Sequence, residues 1–138
     1  MKDAVKILLV IIIFCLSTEC CSLSHCYVNP SGNDINDCLT ISTPCKTILG
    51  CDTVVVGLAS YPATIHVAAG VYTGSNNVGV SFYNAAGPIS IVGQGAGLSI
   101  ISGGGISWCW QFSSGFYTFS GLTFDGCVGG KISLNLLV

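Results

Sequence analysis

The sequence predicts an all-β fold, a solenoid in which the chain coils through short strands. Residues 61–103 (YPATIHVAAGVYTGSNNVGVSFYNAAGPISIVGQGAGLSIISG) hold brief β-favouring triplets that alternate apolar with small or polar side chains: Ile65-His66-Val67, Ile89-Ser90-Ile91 and Leu98-Ser99-Ile100. Gly and Asn clusters separate the triplets. Ile65 and Ile89 stand 24 positions apart, each soon followed by a glycine (Gly70, Gly93). One short strand per corner, at a period in the low twenties, is the pattern of a coiled solenoid.

Taken in order, the chain opens with Lys2 and Lys6 and an unbroken apolar run, residues 7–16 (ILLVIIIFCL), followed by small and polar residues. A basic start and a hydrophobic stretch too brief to span a bilayer read as a secretory signal peptide over residues 1–24, cleaved just before His25 or nearer Cys20. An uncleaved membrane anchor is the alternative; nothing else in the sequence reads as a membrane segment. Residues 25–60 then form an N-terminal strand, a cysteine-rich loop and a cap, and residues 61–138 form the coils.

Beyond the leader the charged residues are Lys46, Lys131, Asp34, Asp37, Asp52 and Asp125, with no arginine anywhere. So few cations argue against nucleic-acid binding and against polybasic attraction to a membrane. Six cysteines follow the leader: Cys26, Cys38, Cys45, Cys51, Cys109 and Cys127. An even number behind a signal peptide reads as disulfides. Fifteen pairings are open to six cysteines. Cys38 with Cys45 would close a short loop across Thr43-Pro44, and Cys109 with Cys127 would join neighbouring coils. Zinc is the rival reading, but this portion has no C-x-x-C pair and His25 and His66 stand alone in the sequence. Disulfides are preferred, and no metal or other cofactor is expected.

Cys26-Tyr27-Val28 predicts a strand stopped at Asn29-Pro30, because proline offers no amide hydrogen to a ladder. Thr43 is the predicted N-cap of a short capping helix, with Pro44 at its first position. Ile48, Cys51, Val55 and Leu58 fall on one helical stripe, against which Val54-Val55-Val56 and Gly50 favour other structure. Val78 to Phe82, Ile89/Ile91, Leu98/Ile100 and Leu122/Phe124 are expected to stack inward, with corners at Gly70, at Gly74 to Asn77, at Ala86-Gly87-Pro88 and at Gly103-Gly104-Gly105. Leu136-Leu137-Val138 reads as the opening strand of a further coil, so the stack is expected to be incomplete at its C-terminus, or to self-associate through that exposed coil.

The stretches YVNPSGNDINDC, STPCKTI, IHVAAGVYTG and ISIVGQGAGLSIISGGG together resemble the opening of secreted right-handed parallel β-helix proteins of the pectin-lyase-like superfamily. IHVAAGVY followed by ISIVGQGAGLSII is similar to the N-terminal coils of pectin methylesterases, in which an A-G-x-Y corner and a V-G-x-G turn recur. The resemblance spans residues 26–127 and implies the right-handed parallel β-helix. For activity it implies little. The aspartates, glutamines and arginine that act in pectin methylesterases come from coils downstream of the matched part, and Asp125 after Leu122-Thr123-Phe124 lies in no motif of that family. Lyase and polygalacturonase chemistry calls on an arginine base with acidic calcium ligands or on clustered aspartates; Asp34, Asp37, Asp52 and Asp125 are scattered.

Other motifs have plainer explanations. Gly93-Gln94-Gly95-Ala96-Gly97 lacks phosphate-loop spacing and precedes a strand, so it is a corner. Gly103-Gly104-Gly105 lacks the aspartate of calcium-binding solenoids. Asn36-Asp37-Cys38 is a rare glycosylation variant, and Asn29-Pro30-Ser31 is blocked by its proline. Ser, His and Asp are present without a G-x-S-x-G elbow. Trp108, Trp110 and Phe112 share a strand face: outward they would form a platform for sugar rings, inward they fill one coil, and burial of so much aromatic area favours the core. The expectation is a secreted, non-catalytic β-helix domain with a structural, adhesive or glycan-binding role and a polysaccharide or cell-surface glycan as partner. The alternative is the N-terminal fragment of a polysaccharide-active enzyme of the same superfamily.

Overall fold

In the first strand, β1 (Ser24–Val28), alternation buries Cys26 and Val28 and turns His25 and Tyr27 to the opposite face. The computed structural model describes residues 23–83, 86–113, 115–128 and 132–134. The predicted leader falls outside this range but for Leu23 and Ser24, and the strand expected at Leu136 to Val138 lies wholly outside it.

The architecture is all-β with one short helix, α1 (Ile48–Leu58). Three parallel sheets form. β1 pairs with β2 (Ala63–Val67), which pairs with β5 (Pro88–Gly93), which pairs with β8 (Phe116–Ser120). β3 (Gly70–Tyr72), β6 (Ser99–Ser107) and β9 (Leu122–Cys127) make the second sheet. The third runs β4 (Val80–Phe82), β7 (Trp110–Phe112), β10 (Ile132–Leu134). From β2 onward the chain visits the three sheets in the same order three times. Parallel pairing aligns like with like, so the core consists of columns: Cys26, Ile65, Ile91 and Phe119 in one sheet, Phe82 beside Phe112 in another, Tyr72 beside Ile101 and Phe124 in the third.

The 24-residue match of Ile65 to Ile89 is two positions out of register. Ile65 pairs with Ile91, and Ile89 pairs with Ala63. A two-residue slip leaves every side chain on its expected face, because strand alternation has a period of two. A one-residue error occurs at β6. Leu98 is exposed and Ser99 and Ile101 are buried, reversing the expected Leu98/Ile100 pair. The cause is a hydroxyl bracket. Ser99 Oγ reaches the carbonyls of Val67 (3.0 Å) and Ala68 (3.1 Å) and accepts from the Gln94 amide (2.9 Å), so the corner closes around a fully satisfied buried serine. Within β6, Gly104 (φ 61°) and Gly105 (φ 74°) form a bulge between Ser102 and Ser107 where a corner was expected. Gly93 and Gly121 are required by close approach: a Cβ on Gly93 would run into the Gly121 carbonyl, and one on Gly121 into that of Gly93.

The helix begins four residues later than its sequence signals predict. Its N-cap is Thr47, whose Oγ1 accepts from the Gly50 amide (3.1 Å). Thr43 instead donates to Asp37 (2.7 Å). Residues just before Thr47 are not free to coil, because Cys45 bridges β1 at Val28 and is joined to Cys38. Asp34 completes the cap, accepting from the amides of Lys46 (2.8 Å) and Thr47 (2.9 Å) and from the Thr47 hydroxyl (2.8 Å). Ile48, Cys51 and Val55 form the buried stripe, while Leu58 at the helix end is half exposed. Burying Val55 against β1 and β2 outweighs the weak helical preference of its β-branched run.

Candidate functional site

Two places bring titratable side chains together across elements distant in sequence. The first is the outer face of the four-stranded sheet. Register sets Tyr27 beside His66, with His25 two residues away on the same face. His25 Nδ1 and His66 Nε2 lie 2.9 Å apart, and the Tyr27 ring stacks on His66 with centroids 4.9 Å apart. The two histidines expected to stand alone are therefore partners. Partial burial and the neighbouring His25 ring hold His66 below the usual imidazole range. Beside them opens a cleft of about 120 Å³ lined by Tyr27, Asn29, Ile41, Pro44, His66 and Gln94. Toward the C-terminal strands the same face carries hydroxyls, with Ser90 and Thr118 bonded at 3.0 Å.

The second place lies beneath the helix. Asp52 is buried, and Tyr117 from β8 donates to its Oδ1 at 3.2 Å. Burial pushes the Asp52 carboxyl up to about 6, partly offset by the Tyr117 hydrogen bond. Tyr117 is raised well above the ordinary phenol range by burial and then by the Asp52 carboxylate. The folded state thus holds a proton on Asp52 that an unfolded chain releases near pH 3.8. Stability from this group is complete below about pH 4 and is lost as pH rises through 6, by up to about 3 kcal/mol. His66 acts with the opposite sign, since its folded value is depressed, so the wild type alone mixes the two. Urea unfolding of wild type and Asp52→Asn across pH 4–7 is expected to separate them: the difference between the chains favours the asparagine variant increasingly toward pH 7. A pH-independent difference would show that Asp52 is not titrating in a buried site.

The other carboxylates among the described residues are placed apart from this dyad. Asp34 caps the helix, Asp37 braces the Leu39 to Thr43 loop, and Asp125 is exposed on β9. Hydrogen bonds from Thr43 and from the Leu39 amide hold Asp37 below the usual carboxylate range. The six cysteines among the described residues are all bridged, as Cys26–Cys51, Cys38–Cys45 and Cys109–Cys127, so the two pairs singled out from the sequence form. The sulfurs of Cys26, Cys45 and Cys51 cluster within 4.8 Å, but each is in an S–S bond and none is left as a thiolate for zinc. Together, the disulfides and the lack, among the described residues, of any helix long and apolar enough to cross a membrane fit an extracellular protein.

The aromatic trio does not form a platform. Trp110 and Phe112 are buried in β7, and Trp108 precedes the strand and is partly exposed. Trp110 Nε1 donates to the Asn77 carbonyl (2.8 Å), while Asn77 Oδ1 accepts from the Ile48 amide (2.9 Å). Asn77 was legible only as a turn residue, and its role in joining helix, turn and core needed the tertiary fold. Compared with known proteins, the chain matches no family model, no curated protein and no solved structure.

Proposed function

We propose that this protein is a secreted, non-catalytic right-handed parallel β-helix domain of the pectin-lyase-like kind, and that it binds glycans. The three-fold repeated visit to three parallel sheets supports the β-helix reading, and the signal-peptide pattern supports secretion. The observation that carries glycan binding is the outer-face cleft, whose lining includes the side chains of Tyr27, Asn29, His66 and Gln94. An aromatic face with amide and imidazole groups around it suits a sugar, which offers C–H faces and hydroxyls together. The separate placement of Asp34 at the helix cap, Asp37 in its loop, Asp52 beside Tyr117 and Asp125 exposed on β9 supports a role without paired-carboxylate catalysis.

Retention of the secreted chain on a panel of cell-wall and cell-surface polysaccharides tests the reading. Wild type is expected to be retained on at least one polysaccharide and Tyr27→Ala to be released. Failure of the wild type to bind any of them would leave a scaffold. A second reading, the first coils of a polysaccharide-active enzyme, draws on the stretches similar to pectin methylesterases. Transcript sequence that extends the coils and carries Asp, Gln and Arg would favour it.

A further inference from the structure

We propose that His25 and His66 form a binding site for a divalent transition-metal ion, Cu(II) above all. The inference does not depend on the glycan reading. It begins with the 2.9 Å separation of His25 Nδ1 and His66 Nε2, contributed by adjacent parallel strands. With ring centroids 5.1 Å apart, the two nitrogens aim at one another, so one must be bare while the other holds the shared hydrogen. The line between the two nitrogens is too short to hold an ion at metal–imidazole distances of about 2.0–2.1 Å. His25 therefore turns aside until both lone pairs converge on one ion, and the imidazole that held the shared hydrogen carries its N–H on its other ring nitrogen instead.

The surroundings agree with this choice. Tyr27 stacks on His66 and fixes its plane. His25 lies on the edge strand beside an open depression with Leu39, Leu58 and Ser60, so its ring has room to swing toward a shared metal position. Among the described residues no third cysteine, aspartate, glutamate or histidine joins the pair. Imidazole donors without carboxylates suit copper, nickel and zinc rather than magnesium or calcium, and Cu(II) stands at the top of the divalent affinity order. Solvent fills the remaining positions.

The test is Cu(II) titration of the full chain at neutral pH, read by calorimetry and by electron paramagnetic resonance. One Cu(II) per chain with a tetragonal signal split by imidazole nitrogen is expected. His25→Gln and His66→Gln, each checked for folding by circular dichroism, are each expected to weaken binding by about tenfold or more. Unchanged binding in His66→Gln would overturn the proposal, because it would place copper on the chain's amino terminus or on His25 alone. So would wild-type chain that takes up no stoichiometric copper. Should either variant not fold, pulsed electron paramagnetic resonance of the copper-loaded wild type decides by counting the coordinated imidazoles: two are expected, and one alone defeats the site.

Discussion

Trp110→Ala is expected to cost about 3–5 kcal/mol, a large share of the stability of a domain this size. The ring is fully buried, packed edge-on against Phe82 and Phe124 with centroids 5.3 and 4.9 Å away. Alanine there leaves a cavity between Phe82, Phe124 and the Asn77 turn. Trp110→Phe retains much of the volume but leaves the Asn77 carbonyl without its indole donor, at a cost of about 1–3 kcal/mol. Urea unfolding followed by circular dichroism measures both. Both variants should lower the midpoint with little change in slope. A loss below about 1 kcal/mol for the alanine variant would return the ring to the surface and revive an aromatic platform.

Replacing both Cys26 and Cys51 by alanine is expected to remove about 3.5 kcal/mol, from the entropy of a chain loop spanning 25 residues. Cys38 with Cys45 closes only 7 residues, and its removal costs about 2.4 kcal/mol on the same basis. The larger effect also has a structural expression. Cys51 sits on the buried face of the helix and Cys26 on β1, so the bridge ties the helix to the first sheet. In hydrogen exchange the helix amides should lose protection before those of β5 once this bridge is gone. Uniform loss across both would mean that the helix and the sheets unfold as a single unit and that the bridge has no local role.

Much of the architecture was legible because strands report themselves through alternation. Ile65, Val67, Ile89, Ile91, Val80 and Phe82 are buried as the pattern requires. Two of the disulfides match pairs the sequence suggested out of fifteen, across a short loop and between neighbouring coils, while Cys26–Cys51 was not among them. The errors have a common cause. Thr43 has the chemistry of an N-cap as good as that of Thr47, and only the pairing of Cys45 with β1 decides between them. Leu98 is as apolar as Ile101, and only the carbonyls of Val67 and Ala68 draw Ser99 inward instead.

The candidate sites were less legible still. His25 and His66 are 41 positions apart, and Asp52 and Tyr117 are 65 apart, with no local spacing to link them. The sequence by itself determined the all-β class, most of the strand faces, the helix stripe and the oxidised state of the cysteines, because each follows from periodicity, composition or a short chain segment. Rung register, the true helix cap and the meeting of imidazole with imidazole and carboxyl with phenol were decided by the tertiary structure alone. Parallel stacking sets distant residues side by side, and that juxtaposition is written in no local stretch of chain.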